Sequence, residues 1–288
     1  MDLNTLLDTP PWDWPEDAGE TFLETLVDKQ AKEADRLIAA QLAGDLIVMN
    51  DEMADVLLAI VGSGDEPEEL RAKAAISLGP VLEEAGLDEF EDPDDLPIAE
   101  RTYHEIQDTL HKLYLESNPK EVRRRILEAA VRAPQGWHTS AISAAYSSGD
   151  KDWKLTAVFA MGWVRGFDGQ ILEALESPDP EIHYEAVIAA GRWQLNAAWP
   201  HVVALVEDPS TPKELRLAAI EAVGAIRPQE AQDILLDLAE SRDEEIAEAA
   251  TEAISVSMDL SDEEDDEEEE GDEEDEDDEE DEDGKWIN

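Results

Sequence analysis

The sequence predicts an all-α protein: a right-handed α-solenoid of stacked helical hairpins, followed by a disordered acidic C-terminal tail. Three observations predict this fold. Apolar residues make up 42% of the 288 residues, which is enough to bury a core along most of the chain. A pattern of helical apolar spacing recurs seven times, mostly at intervals of about 30 residues. Acidic residues dominate the final segment, where no core-forming pattern remains.

The chain begins with an aromatic segment that is predicted to cap the stack. Residues 1–16 form this N-terminal cap, in which Trp12 and Trp14 are expected to fold over the first hairpin. A capping role is favoured because the end repeat of a stack would otherwise expose its apolar core.

The repeats become visible when helical segments are aligned on one anchor position. Alanine stands four positions after the anchor in six of the seven repeats, and glycine stands nine positions after it in five. Small residues at the ninth position let neighbouring helices approach closely. The anchors are Asp35, Leu70, Val122, Trp153, Ile182, Leu215 and Ile246. The residue after the anchor is often basic, at Arg36, Arg71, Arg123, Lys154 and Arg216.

A partner helix is predicted before the anchor helices, which makes the repeats helical hairpins. Because one hairpin cannot bury both of its faces alone, successive hairpins are expected to stack. Partner helices are indicated by apolar spacing in Phe22–Val27, Val56–Val61, Ile106–Leu115, Ile171–Leu175, Val202–Val206 and Ile234–Leu238.

Two of the repeats resemble a known family. The segments DPEIHYEAVIAAG (residues 179–191) and TPKELRLAAIEAVG (residues 211–224) resemble the D-P-x-V-R-x-x-A-x-x-A-x-G helix of HEAT repeats. They are most similar to the short HEAT-like repeats of phycobilisome-lyase-type proteins. The resemblance covers roughly residues 17–257, with departures at Asp35, Val131 and Ser255. It implies stacked hairpins and no single function.

An acidic insertion is predicted where the anchors Leu70 and Val122 stand 52 residues apart. Residues 84–100 contain two prolines and no helical periodicity, so they are expected to leave the stack as a surface loop. The predicted organisation is N-terminal repeats at 17–85, the acidic insertion loop at 86–100, C-terminal repeats at 101–257 and the tail at 258–288.

The charge of the chain indicates its class of partner. The sequence has 75 acidic and 21 basic residues, a net charge of −54. Residues 259–283 hold 22 of the acidic residues and no basic one, so the rest of the chain keeps 53 acidic residues against 21 basic ones, Lys285 included. Because this charge repels phosphate backbones and anionic lipids, no nucleic acid or membrane partner is expected. The expected partners are other proteins, basic ones among them.

The sequence leaves the meaning of this charge open. The tail is either a solvating segment or an interaction segment, in which Trp286 and Ile287 form a short docking peptide. In a further interpretation the acidity is salt adaptation and is unrelated to the choice of partner.

No catalytic motif is found, so the chain is predicted not to be an enzyme and to use no cofactor or metal. It has no cysteine, which excludes disulfides and thiolate zinc sites. His104, Asp108 and His111 share one helix and offer metal ligands, but a polar surface stripe is the favoured interpretation. HEAT-type deoxyhypusine hydroxylases hold iron through several His-Glu pairs, whereas only His104-Glu105 has that form here. The absence of a signal-like N-terminus and of about 18 consecutive apolar residues predicts a cytoplasmic protein.

The anchor helices are predicted to leave one side open as a concave groove. At 100° per residue, positions 2, 3, 6 and 10 after the anchor fall on the side opposite the packed face. Aromatic residues flanked by arginine are typical of protein-recognition hot spots. If the register of this helical wheel is shifted by one step, Phe159 and Trp163 belong to the core between repeats instead. The predicted groove residues are Arg124, Arg125, Arg132, Phe159, Trp163, Tyr184 and Arg192.

The sequence therefore predicts a non-catalytic protein-binding scaffold or adaptor. The groove is the predicted binding site, and the carboxylates of the tail are expected to compete with partners for its arginines. Two alternatives remain: an accessory subunit or lyase-like factor of an enzyme system, and a salt-adapted HEAT protein whose charge is unrelated to its partners.

Overall fold

The structure is a computed structural model that describes residues 2–87 and 96–256, and every regular element in these two ranges is a helix. The described residues form two compact units, unit 1 up to residue 167 and unit 2 from residue 168. The predicted disordered tail and residues 88–95 of the predicted insertion lie outside the described residues. Among the helices of the described residues, none has the length and apolar character needed to cross a membrane.

Unit 1 is a stack of helical hairpins behind a short N-terminal segment. The segment holds α1 (Leu3–Leu7) and a 3-10 turn (Pro11–Asp13). The hairpins are α2 (Ala18–Val27) with α3 (Glu33–Leu42), α4 (Asp51–Gly62) with α5 (Glu68–Ile76), α7 (Glu100–Leu115) with α8 (Lys120–Ala130), and α9 (His138–Tyr146) with α10 (Lys151–Met161). An additional helix, α6 (Gly79–Leu87), packs on α7 and α8.

Unit 2 repeats the same hairpin arrangement. Its helices are α11 (Asp168–Leu175), α12 (Pro180–Arg192), α13 (Trp199–Glu207), α14 (Lys213–Ile226), α15 (Pro228–Ala239) and α16 (residues 244–256), with a 3-10 turn at Asn196–Ala198. The anchor helix α12 packs on α11 and on the next anchor helix, α14. The predicted all-α stack of hairpins is therefore confirmed within each unit.

Glycine brings successive anchor helices into close contact. A Cβ added to Gly191 would lie 2.9 Å from Cα and Cβ of Ala222 on the next anchor helix. A Cβ added to Gly44 would lie 3.0 Å from Cβ of Ser77. Real Cβ contacts are wider than this, so only glycine permits the observed helix separation. The predicted role of the small residue nine positions after the anchor is confirmed at these contacts.

The arginine that follows the anchor caps the partner helix of its own hairpin. In four repeats its Nε donates a hydrogen bond to the carbonyl of the penultimate residue of that helix. The pairs are Arg36 with Leu26 (3.1 Å), Arg71 with Val61 (2.9 Å), Arg123 with Tyr114 (3.0 Å) and Arg216 with Val206 (2.9 Å). Carbonyls in the last turn lack helical partners, and a cation there also complements the helix dipole. The recurrence of a basic residue thus has a structural cause.

Of the two tryptophans expected to fold over the first hairpin, Trp14 contacts it and Trp12 does not. The Trp14 ring meets Phe22 edge-on, with 5.5 Å between centroids, and its indole N–H donates to the carbonyl of Thr9 at 2.9 Å. Trp12 is 77% exposed. The backbone contact holds Trp14 against the first hairpin, and the 3-10 turn before it leaves Trp12 in solvent.

The predicted surface loop begins later than the sequence indicates. Residues 84–87 continue helix α6, where Ala85 is fully buried, and Ile98 is buried on the far side of the insertion. Helix α5 packs directly on α8, so the stack of unit 1 continues across the insertion. The boundary between the two units lies at residues 167 and 168.

Candidate functional site

The predicted groove residues are distributed over both units. Arg124 and Arg125 lie on α8, Arg132 follows this helix, Phe159 lies on α10 and Trp163 follows it, all in unit 1. Tyr184 and Arg192 lie on α12 in unit 2. The five residues of unit 1 separate into two groups with different environments.

The first group is a closed network of ion pairs along α8, which hydrogen bonds connect to Thr156 on α10. Arg124 donates from Nη1 to Glu121 at 2.7 Å and from Nε to the hydroxyl of Thr156 at 2.9 Å. Arg125 donates from Nε to Glu121 at 2.8 Å and from Nη1 to Glu128 at 2.6 Å. The Thr156 hydroxyl donates to Glu128 at 2.5 Å. Two guanidinium groups and two carboxylates thus neutralise one another.

This network corrects the prediction for Arg124. The residue is only 6% exposed, since the neighbouring anchor helix covers this side of α8 and places Thr156 beside it. Although burial opposes the charge of Arg125, the carboxylates of Glu128 and Glu121 raise its pKa. Buried charges need such partners because unpaired ones would lose their hydration. Neither arginine offers an uncompensated charge to a partner or to the acidic tail.

The second group, which we call the Arg132 cluster, consists of Arg132, Phe159, Trp163 and Glu83. The guanidinium carbon of Arg132 lies 5.0 Å from the Trp163 ring centroid and 5.9 Å from that of Phe159. The two rings are 6.3 Å apart. The Nη1 of Arg132 is 2.7 Å from a carboxylate oxygen of Glu83, on helix α6. Cation–π contact and the ion pair together hold the arginine in one position.

The aromatic residues of this cluster are neither core nor fully exposed. Arg132, Phe159 and Trp163 all have intermediate exposure, and so does Glu83. Gly79 makes room for the arginine, because a Cβ there would lie 2.9 Å from Cδ of Arg132. Unit 1 therefore presents a preformed aromatic surface that carries a paired arginine at its edge.

In unit 2 the same side of the anchor helices forms a hollow of about 290 Å³ between α12 and α14. Its lining is mostly small and apolar, with Arg192 and Glu221 as the charged members. Burial and the nearby carboxylate of Glu252 both raise the pKa of Glu221. The lining residues are Ile188, Gly191, Arg192, Gln194, Ala218, Glu221, Ala222 and Ala225.

Tyr184 lies near three acidic residues, one of which is Glu221 of this hollow. Burial raises the pKa of its hydroxyl, and Glu185, Glu221 and Glu214 raise it further. Three carboxylates therefore act on one half-buried phenol, so this part of unit 2 has a negative potential.

The histidines that could have formed a metal site on α7 have different neighbours. The ring of His111 stacks on Trp137 with 4.6 Å between centroids, whereas His104 lies within 3.3 Å of Gln107 on the exposed face. The stacking on Trp137 makes His111 part of a structural contact between α7 and the start of α9.

Two functional candidates were missed at the sequence level. Glu83 was assigned to the end of the N-terminal repeats because α6 was not predicted, although its position beside Arg132 depends on that helix. His183 and His201 are 18 residues apart and belong to no motif, yet their side chains meet. The only available signal was their location on two consecutive predicted helices.

Comparisons with known proteins place HEAT repeats on residues 167–255. No curated protein matches the chain. The solved structure of YibA from Escherichia coli is similar, with 12% identity and a TM-score of 0.47 over 86% of this chain and 82% of that one. Human deoxyhypusine hydroxylase in complex with glycerol is similar with 16% identity and a TM-score of 0.38, over 89% of this chain and 99% of that one. Neither likeness is close enough to carry a role over to this chain.

Proposed function

Because residues 167–255 are HEAT repeats and unit 1 is built from hairpins of the same kind, we propose that the chain is a non-catalytic scaffold or adaptor that binds other proteins. It acts in the cytoplasm and needs no cofactor. Each unit supplies a surface on the side of its anchor helices that the stacking of the hairpins leaves accessible.

The Arg132 cluster is the observation that carries this proposal. Tryptophan and arginine are the residues that most often dominate binding energy at protein interfaces. Here both are held in place before a partner arrives, by the Glu83 ion pair at 2.7 Å and by the ring contacts. A preformed surface has a small ordering cost on binding, so more of the contact energy remains as affinity.

The partner that fits this cluster contributes apolar or aromatic side chains rather than many charges. Arg132 is already paired with Glu83, and Arg124 with Glu121 and Glu128, so a further carboxylate gains little from them. For the same reason the tail is not expected to cover this surface tightly. Its role in the proposal is long-range steering of basic partners, which depends on salt.

The hollow of unit 2 suits a basic side chain of the partner. An aliphatic stem would lie against the small residues of α12 and α14, and a terminal cation would reach the carboxylate of Glu221. The raised pKa of Glu221 supports this arrangement, since a nearby cation would relieve the repulsion from Glu252.

Affinity isolation from the native cell, with matched variants, tests the proposal. Trp163→Ala removes the largest ring of the cluster, and Trp12→Ala removes an equally large ring that is 77% exposed elsewhere. We expect proteins retained by the wild type and by Trp12→Ala to be lost by Trp163→Ala, with the far-ultraviolet circular dichroism of both variants unchanged. Equal retention by all three proteins, or unfolding of Trp163→Ala, contradicts the proposal.

A further inference from the structure

Two histidines of unit 2 point their ring nitrogens at each other. His183 lies on α12 and His201 on α13, and their Nε2 atoms are 2.8 Å apart. The ring centroids are 5.0 Å apart with an angle of 69° between the ring planes. On its other side, Nδ1 of His201 lies 3.4 Å from a carboxylate oxygen of Glu176. The three side chains form a chain from carboxylate to imidazole to imidazole.

This arrangement aims one nitrogen of each ring at a shared position. When Glu176 accepts a hydrogen bond from Nδ1 of His201, the lone pair of that ring is on Nε2, which faces His183. A carboxylate on the second nitrogen is how proteins commonly orient a metal-binding histidine. In the free protein the Nε2–H of His183 donates to this lone pair. To bind a cation through Nε2, His183 takes its other neutral tautomer, in which exchange with solvent has removed the proton from Nε2 and placed one on Nδ1.

We propose that His183 and His201 bind a divalent transition-metal ion, Cu²⁺, Ni²⁺ or Zn²⁺, through their two Nε2 atoms. Imidazole suits these ions, and the net charge of −54 raises the concentration of any cation near the surface. Metal–nitrogen bonds of about 2.0–2.1 Å at a tetrahedral angle require about 3.3 Å between the nitrogens. The observed 2.8 Å therefore has to widen by roughly 0.5 Å.

The rings have the freedom for this change. Both histidines have intermediate exposure, and 26% of the His201 side chain is accessible, so the ion and its waters reach the site from solvent. Burial and the neighbouring His201 lower the pKa of His183. Neutral imidazole is the form that coordinates a metal ion.

The site has two ligands from the protein, with water in the remaining positions. In the described ranges, no group of three or more His, Cys, Asp or Glu side chains is arranged to hold a metal. The bound ion would link the anchor helix of one hairpin to the partner helix of the next. Because an ion that binds only the folded state stabilises it, metal is expected to raise the melting temperature.

Titration of the full chain with zinc chloride at neutral pH, followed by histidine NMR and thermal melting, tests this site. The protein has five histidines, so their ring resonances can be assigned by single substitutions. We expect the resonances of His183 and His201 to shift together and the melting temperature to rise. Both effects should disappear in His183→Gln and in His201→Gln, and Glu176→Gln should weaken binding by roughly tenfold.

Two controls separate this site from zinc held by surface carboxylates. His104→Gln removes an exposed histidine and should leave the zinc response unchanged, and magnesium chloride should bind carboxylates without shifting the two histidines. The proposal is overturned if zinc leaves the His183 and His201 resonances in place, or if His183→Gln keeps the full rise in melting temperature. It is equally overturned if magnesium reproduces the shifts. None of these outcomes bears on the protein-binding proposal.

Discussion

Replacing Gly191 by alanine tests the packing that holds the anchor helices together. The added Cβ would lie 2.9 Å from both Cα and Cβ of Ala222. Carbon atoms pack best at about 3.5–4.0 Å, so the contact is too short by more than half an ångström. Because one of the contacting atoms is backbone, α12 and α14 must separate, and no side-chain rotation can relieve the clash.

The size of the effect follows from two opposing terms. Overpacking a tight contact costs about 1–3 kcal/mol, whereas alanine is favoured over glycine in a helix by about 1 kcal/mol. We expect Gly191→Ala to lower the free energy of unfolding by up to about 2 kcal/mol. Gly224→Ala, whose Cβ would lie 3.2 Å from Ala253, should have a smaller effect. Gly169→Ala meets nothing within 4 Å and should stabilise the protein by up to about 1 kcal/mol.

Urea unfolding of the full chain, monitored by circular dichroism at neutral pH, measures the order of stability of the three variants. All three glycines lie in helices of unit 2, so the variants share one unfolding unit and can be compared by their midpoints. If Gly191→Ala is as stable as Gly169→Ala, helix propensity alone determines the stability of these variants. The close contact between α12 and α14 would then have no measurable effect, contrary to the prediction.

Three further predictions concern other parts of the chain. Burial and the neighbouring His111 lower the pKa of His138 to about 4, so the unfolded state binds its proton at a higher pH than the folded state does. The free energy of unfolding should therefore decrease by about 3 kcal/mol in total as the pH falls from about 6.5 to 4. In urea titrations, His138→Asn should remove this part of the pH dependence. Equal pH dependence of the variant and the wild type would contradict the lowered pKa of His138. Glu128→Gln should cost about 3 kcal/mol in the same assay because it leaves the buried Arg124 and the half-buried Arg125 underpaired. Lys213→Gln, at an exposed pair, should change nothing measurable. The full chain should not bind duplex DNA at physiological salt by fluorescence anisotropy, and tight binding that weakens with salt would show that a local patch overrides the net charge.

The hairpin pattern could be predicted because it depends on local spacing. Alanine and glycine at fixed distances from the anchor indicate a helix that packs closely on its neighbours. The contact of Gly191 with Ala222 shows that a larger residue would not fit there. Helix α9 was missed since the segment HTSAISAAY (residues 138–146) has mostly small and polar residues and little apolar contrast. Helix α6 was missed because Gly79, nine positions after the anchor Leu70, was read only as a point of close approach, whereas it is the first residue of a helix.

The candidate site could be predicted only in part, because it depends on how neighbouring helices are placed. The helical wheel groups Phe159 with Trp163, and the structure brings the two rings together, but the wheel contains no information on which neighbour covers Arg124. The meeting of His183 and His201 depends on the turn between α12 and α13, where Gln194 adopts a φ of 49°. Such a left-handed residue has no clear sequence signal when it is not glycine or asparagine.

Hydroxyl-radical footprinting of the chain in complex with a captured partner protein tests the central claim most directly. The method reports the solvent access of individual aromatic side chains, so it distinguishes the Arg132 cluster from other surfaces. We expect Trp163 and Phe159 to be oxidised more slowly in the complex than in the free protein, while the exposed Trp12 reacts at the same rate in both. Unchanged oxidation of Trp163 and Phe159 in a complex that has formed would contradict the assignment of the Arg132 cluster as the binding surface.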